Sequence, residues 1–270
     1  MTVKKGDALV VLSGGQDSTI CLFWAHEHFN TIHALSFDYG QRHKIELAAA
    51  KKIAKLLGVA SHEIVELGPI LQGRGPLVNN EEELEQYTDF ESMTNIIGDR
   101  VELTFVPMRN ALFLTLAANR AICKNIKHLV TGVCQEDTAN YPDCRQSFID
   151  AQQFTINQAL GIDFFQIHTP LMNLNKAESI KLSLTLPGAY EALAWSHTAY
   201  DGQYPPIGKD HATVLRAWGF EQAGVPDPLI VRAWHEGKMD LPKTDNYSTK
   251  LVDQTLQRIQ ACSAQLSLNA

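Results

Sequence analysis

Cysteine is scarce and scattered in this 270-residue chain. Cys21, Cys123, Cys134, Cys144 and Cys262 form no C-x-x-C pair, and their number is odd. That argues against a disulfide scaffold and a thiol redox pair, and reduced thiols are expected. Cys21 and Cys123 fall in apolar helical stretches and read as small core residues. No apolar run approaches the ~20 residues of a membrane span. The N-terminal Met1-Thr2-Val3-Lys4-Lys5-Gly6-Asp7 precedes only a short apolar run, which is no secretion signal. The expected location is the cytoplasm, with no membrane partner. Positive charge is short too: 23 Lys and Arg against 30 Asp and Glu leave a net −7. A chain of that sign lacks the basic field that grips nucleic acid, so a small-molecule substrate and no direct nucleic-acid partner are expected.

What is present is concentrated in one loop. Ala8-Leu9-Val10-Val11-Leu12 has the length and branched composition of a buried parallel strand. Ser13-Gly14-Gly15-Gln16-Asp17-Ser18 follows at once, and a helix is expected to open at Asp17-Ser18. Strand, glycine turn and helix N-terminus together hold phosphates. Glycines let backbone N–H groups approach an anion, the helix end adds unpaired donors and partial positive charge, and two serine hydroxyls add more. The loop lacks the lysine of G-x-x-x-x-G-K-[ST] and the spacing of G-x-G-x-x-G, so neither of those phosphate motifs applies. Asp17 has two readings here, a helix cap or a ligand of Mg2+.

Strand and helix patterns then alternate. Strands are expected over 8–12, 31–37, 62–67, 127–131 and 163–168. Helices are expected over 43–57, closed by Gly58, and over 110–123 and 146–160. Residues 69–100, with an acidic run from Glu81 to Glu85, read as a long loop with room for one short helix. The alternation implies a doubly wound parallel sheet of about five strands, an α/β fold. In such sheets ligands bind at the carboxyl ends of the strands. A nucleotide-binding domain is expected over 1–186. After it, a helical and irregular region over 187–270 is broken by Pro187, Gly188, Gly202, Pro205, Pro206 and Gly208, with helices over 211–223 and 248–266.

Four more polar segments sit at strand ends. They are Phe37-Asp38-Tyr39-Gly40-Gln41-Arg42-His43; Phe105-Val106-Pro107-Met108-Arg109-Asn110; Thr131 to Asp137, running on to Tyr141-Pro142-Asp143-Cys144-Arg145; and Thr169-Pro170-Leu171-Met172, with Lys176-Ala177-Glu178 beyond. The Ser-Gly-Gly-Gln-Asp-Ser loop resembles the pyrophosphate loop of the ATP-pyrophosphatase group. With the four segments, over roughly residues 8–185, the chain resembles the 7-cyano-7-deazaguanine synthase family of the queuosine pathway. Phe-Asp-Tyr-Gly-Gln-Arg-His and Tyr-Pro-Asp-Cys-Arg carry the resemblance more specifically than the loop.

The resemblance implies an adenine-nucleotide α-hydrolase-like fold and an ATP-dependent ligase. Such an enzyme turns 7-carboxy-7-deazaguanine and ammonia into the nitrile through an adenylated carboxylate and an amide. It implies ATP with Mg2+ as cofactors, and a homodimer. Around ATP it places Leu12, Ser13, Gly14, Gly15, Gln16, Asp17, Ser18 and Thr19, with Asp38, Tyr39, Gln41 and Arg109. The catalytic group is Ser13, Asp17, Ser18, Arg109 and Lys176. Around the deazaguanine it places Gly132, Glu136, Asp137, Tyr141, Asp143 and Arg145. A carboxylate can accept both donors of the base edge; Glu136, Asp137 and Asp143 are the candidates, with Asp143 favoured. Arg145, Arg109 and Lys176 suit the substrate carboxylate or the phosphates. Cys134 and Cys144 are read as packing residues, because activation goes through AMP and not a thioester. Two other readings stay open: a relative that stops at the amide or serves another acceptor, and a non-catalytic adenine-nucleotide sensor.

The C-terminal third departs from the family, which ends in a four-cysteine zinc site. The four positions here hold His197, Ile207, Asp210 and Thr213. Isoleucine and threonine are not zinc ligands and a structural site needs four good ones, so zinc is not expected. Apolar packing by Trp195, Tyr200, Tyr204, Pro205 and Pro206 is expected to replace that cross-link.

Overall fold

The computed structural model describes residues 4–41, 44–73, 75–78, 82–135 and 139–268, the last four of these by backbone alone. Arg42, His43, Glu81, Glu136 and Asp137 lie outside the described residues. Five strands make one parallel sheet in the order β3-β2-β1-β4-β5: β1 Lys5–Val11, β2 Phe29–Asp38, β3 Ser61–Glu66, β4 His128–Val130 and β5 Gln166–His168. The helices are α1 Gln16–His28, α2 Ile45–Leu57, α3 Phe90–Ile97, α4 Arg109–Cys123, α5 Gln146–Leu160, α6 Lys176–Thr185, α7 Ala189–Ala192, α8 His211–Ala223, α9 Pro228–His235 and α10 Thr249–Leu268.

The pleat of β1 divides the core in two. Ala8, Val10 and Leu12 face a cluster with Ile20 and Leu22 of α1, Ala50 and Ile53 of α2, Tyr190 of α7 and Phe220 of α8. Leu9 faces the other way, with Leu35 and Leu129, toward Leu114, Ala117 and Ala121 of α4 and Ile149 and Ile156 of α5. Both faces of the sheet are covered, which is why its strands read as near-continuous apolar runs. Successive connections run outward from β1 to β2 and β3 on one side, and to β4 and β5 on the other. The order reverses between β1 and β4, and the carboxyl ends of those two strands open a crevice there.

Boundaries move by a few residues. β1 starts at Lys5, earlier than its apolar run, because Lys5 and Asp7 pair with Phe29 and Thr31 of β2. β5 keeps only Gln166–His168, since its partner β4 offers three residues. The short helix allowed within 69–100 is α3, opened by a capping box between Asp89 and Ser92. Helices α6, α7 and α9 had no expected counterpart. Part of the region after 186 shares the core of the sheet: Tyr190, Leu193 and Phe220 are buried in the cluster that holds α1, while Val231, Val252 and Ile259 of α9 and α10 form one of their own.

Candidate active site

The Ser-Gly-Gly loop lies at the switch point. Gly15 is the residue before α1 and no side chain caps the helix, so its first-turn amides are left for the crevice. Helix α1 starts at Gln16, one residue before the expected opening, and Asp17 is not its cap. The hydroxyls knit the loop instead. Ser13 Oγ accepts from the Gly15 amide at 3.2 Å and lies 3.0 Å from Ser18 Oγ. Ser18 Oγ donates to the Gly15 carbonyl at 3.2 Å, and Thr19 Oγ1 donates to the same oxygen at 2.7 Å. Gly14 has φ +91, and a Cβ there would meet the Glu46 carbonyl oxygen at 2.2 Å. Only glycine lets α2 close this tightly on the loop.

Asp17 turns toward α6. Its carboxylate takes Lys176 Nζ at 2.8 and 3.1 Å, and Lys176 is itself buried. Lys176 therefore braces the loop through Asp17. It is not among the residues facing the crevice, whereas Asp17 is. Thr19 is fully buried beneath the turn.

The crevice holds a cavity of about 340 Å³. After β2, Tyr39 and Gln41 face it. Gln41 shapes the turn, accepting from the Tyr39 amide at 2.9 Å and donating to the Phe37 carbonyl at 3.4 Å. Phe37 stacks on Phe113 with ring centroids 4.3 Å apart. Asp38 is not on the cavity: it pairs with Lys44 at 2.8 Å, which holds its carboxyl below the usual range.

Arg109 opens α4 after Met108, whose φ of 64 is a left-handed conformation rare outside glycine. That turn delivers the guanidinium to the cavity. Burial works against its charge, yet the hydroxyls of Tyr39, Tyr141 and Tyr200 outweigh that and hold it protonated. Burial raises all three tyrosines, so they stay neutral.

The far wall comes from the segments after β4. Gly132 packs on α1, where a Cβ would lie 3.0 Å from the Ser18 nitrogen. Tyr141 and Arg145 face the cavity, with Cys134 and Cys144. Tyr141 donates to buried Glu102 at 3.1 Å. Cys134 Sγ donates to the Leu174 carbonyl at 3.0 Å. Asp143 departs from its expected place. It is buried, and its Oδ2 accepts from the Asn110 amide at 3.3 Å, while Asn110 Nδ2 donates to the Asp143 carbonyl at 3.2 Å. It braces the 142–144 turn against α4 and is not among the cavity-facing residues.

The C-terminal region supplies the remaining wall. The His197 amide donates to the Gly14 carbonyl at 2.9 Å, so this wall touches the loop itself. Thr198, Ala199 and Tyr200 also face the cavity. Of the four former ligand positions, His197 Nε2 contacts the Ala199 carbonyl at 2.9 Å and Ile207 is exposed. Asp210 caps α8, accepting from the Thr213 amide and hydroxyl at 3.0 Å each. Beside the expected apolar packing, in which Trp195 lies against two core clusters, stands a polar cross-link. Arg216 forks onto Asp227 at 2.6 and 2.8 Å, and donates to Ser196 at 2.9 Å, Thr198 at 2.7 Å and the Leu193 carbonyl at 3.2 Å. Asp227 caps α9 through the Leu229 amide at 2.9 Å. One buried pair thus ties α8, α9 and the strip 193–198 together. Tyr200 serves the cavity instead.

Residues not assigned to ATP or the deazaguanine from the sequence also reach the cavity: Glu46, Phe113, Asn110 and His197. Glu46 lies off the apolar stripe that marks α2 in the sequence, and stands in that helix's first turn, just beyond the Tyr-Gly-Gln segment.

The family model described as queuosine biosynthesis protein QueC matches residues 7–224. The 7-cyano-7-deazaguanine synthase of Gloeobacter violaceus is 47% identical over 226 residues, covering 82% of this chain and 94% of that protein. The synthase of the same name from Laribacter hongkongensis is 47% identical over 227 residues, 83% of this chain and 94% of that protein. That of Chromobacterium violaceum is 45% identical over 235 residues, 86% of this chain and 96% of that protein.

Proposed function

The chain belongs to the queuosine biosynthesis QueC family, and from that membership we propose that it is an ATP-dependent 7-cyano-7-deazaguanine synthase. The observation that supports this most is the placement of the uncapped α1 N-terminus, the Ser13 and Ser18 hydroxyls and the Arg109 guanidinium on one cavity. Donors fixed where charge develops on pyrophosphate are the largest catalytic contribution expected of an adenylating site. A carboxylate is a poor electrophile. Attack of its oxygen on the α-phosphorus of ATP forms a mixed anhydride with AMP and releases pyrophosphate. Ammonia then displaces AMP to give the amide. A second adenylation, on the amide oxygen, lets that oxygen leave with AMP as the nitrogen loses its two protons.

Ser13, Ser18 and the amides of residues 14–18 hold the pyrophosphate in this reading, with Leu12 and Gln16 lining the nucleotide. Asp17, fixed by Lys176, is the carboxylate that would meet the Mg2+ of ATP. Arg109 and Arg145 take the substrate carboxylate. Tyr39 and Tyr141 offer ring faces to the planar bases. Asp143 and Asn110 set the orientation of the wall, and reading of the base edge falls to the segment after Gln135. No structural zinc is assigned to the strip 197–213, because the Asp210 oxygens are taken by Thr213 and two positions carry no ligand. The protein acts as a homodimer on small molecules in the cytoplasm.

Incubation with ATP, Mg2+, 7-carboxy-7-deazaguanine and ammonium, with mass detection of acid, amide and nitrile, tests the reading. Nitrile is the expected end product. Accumulated amide marks the shorter reaction, and bound but unconsumed ATP marks a sensor; either result overturns the proposal.

A further inference from the structure

Resting on the synthase reading, we propose that Glu46 is the base that takes the proton from the attacking nitrogen when ammonia forms the carbon–nitrogen bond. Its position is fixed by the loop. The Glu46 carbonyl oxygen lies where a Gly14 Cβ would be, at 2.2 Å, so the first turn of α2 sits against the pyrophosphate loop. Its side chain is on the cavity with Ser13 and Arg109. No described residue forms a hydrogen bond or close ion pair with its carboxylate. Among the described residues, the charged and titratable groups facing it are Arg109 of α4, Tyr39 just after β2 and Tyr200 of the C-terminal wall.

The chemistry requires such a group. Adenylation of a carboxylate moves no proton. Attack by neutral ammonia makes the new C–N bond and breaks the bond from carbon to the AMP oxygen. The nitrogen is then left with one hydrogen more than the amide carries, and that proton must leave. Here it goes to Glu46, and from there through the cavity mouth to water. Most other ionisable side chains among the described cavity residues are poorly suited. Asp17 is held by Lys176. His197 Nε2 is engaged with Ala199. Cys134 Sγ points at the Leu174 carbonyl. The tyrosines are kept neutral by burial. Burial also raises the Glu46 carboxyl to about 7, with the Arg109 charge pulling the other way. A base that titrates there is matched to a reaction run near neutrality.

Glu46→Gln separates this role from nucleotide binding. With ammonium at pH 7, amide formation should fall on the order of 100-fold, the usual share of a general base. Hydroxylamine, already neutral at that pH, intercepts the acyl adenylate without needing a strong base. Pyrophosphate release and hydroxamate formation should therefore stay within about twofold of wild type. The ammonia-dependent pH profile should lose its inflection near 7 in Glu46→Gln, keeping only the slope set by the ammonium–ammonia equilibrium, and the inflection should return in Glu46→Asp. An equal fall in hydroxamate and amide would make Glu46 part of the nucleotide site and overturn the assignment. So would a wild-type pH profile in Glu46→Gln. If the wild-type protein released no pyrophosphate with either nucleophile, the synthase reading would fall, and this assignment with it.

Discussion

Two walls of one cavity are built by different physics. The loop wall is backbone: amides left open at the start of α1, glycines that let α2 and β4 approach, and hydroxyls that fold the turn. Its polar groups are arranged to receive a ligand. The C-terminal wall, over 193–227, is held by a side-chain fork in which Arg216 and Asp227 are both nearly sealed from water, each 4% exposed. Its polar groups already have their partners. Here the cross-link between α8, α9 and the strip 193–198 is a buried ion pair. The comparison predicts that lesions in the first wall stop turnover and spare folding, while lesions in the second do the reverse.

The largest effect is expected in the second wall. Arg216→Met leaves Asp227 buried without its charge partner, and a broken buried pair costs about 3–5 kcal/mol. Urea denaturation should show that loss. Replacing both members by apolar residues of similar size should cost much less, because no orphan charge remains. Equal destabilisation by the single and double replacements would show that the fork is not the staple.

Ser13→Ala tests the first wall. Removing one donor aimed at developing charge costs on the order of 10²–10³ in rate. Pyrophosphate release should fall by that factor while the melting temperature stays within a degree or so. Asp17→Ala cannot be expected to spare the fold, because it takes from buried Lys176 a carboxylate at 2.8 Å. It should lose activity and stability together, and in that it bridges the two walls.

The strands were legible because both sheet faces are buried, so each strand is a branched apolar run. Helices α2 and α5 were legible through their stripe and their closing glycines, Gly58 and Gly161. Helix α6 was not: it buries Lys176, Ser179 and Ser183, polar residues that break any apolar period. Helix α9 carries a readable start, Asp227 before Pro228, but at eight residues it is too short for an apolar period to stand out. In the site, the turn from Ser13 to Ser18 was legible because its shape is set by backbone, and backbone follows from glycine spacing. Asp38 and Asp143, expected at the nucleotide and at the deazaguanine, are not among the cavity-facing residues, because a motif fixes position along the chain and not the side a carboxylate faces. Lys44 and Asn110, which turn them away, gave no pattern. The Arg216–Asp227 pair is set by how α8 packs on α9, which no local spacing records.

The walls should also differ in pH response. The folded-state pKa of Glu46 is raised to about 7, so the folded protein holds that proton more tightly than the unfolded chain. The stabilisation is complete below the unfolded pKa and is lost as pH rises through 7. Glu46→Gln cannot ionise and escapes the loss. It should melt higher than wild type at pH 8, by roughly 2–4 °C if about 1 kcal/mol is recovered, and the gap should close by pH 4. A variant that melts lower than wild type at pH 8 would place Glu46 among the structural groups.

The smallest expected effect is none at all, and it sharpens the comparison most. A four-thiolate zinc site couples metal binding to folding, and a chelator then unfolds the protein. The strip 197–213 offers instead a histidine engaged with Ala199, an exposed isoleucine, an aspartate capping α8 and the threonine that binds that aspartate. Below it, the Arg216 fork joins the same segments that a metal would join. Melting without nucleotide should therefore be indifferent to EDTA, and purified protein should carry zinc well below one per chain. Turnover should still stop on chelation, because ATP loses its Mg2+, and should return when Mg2+ is restored. Stoichiometric zinc with a chelator-sensitive melt would mean that the second wall is a metal site after all. The first ligands to substitute would then be His197, Asp210 and His211, and the Arg216 fork would be reinforcement around that metal.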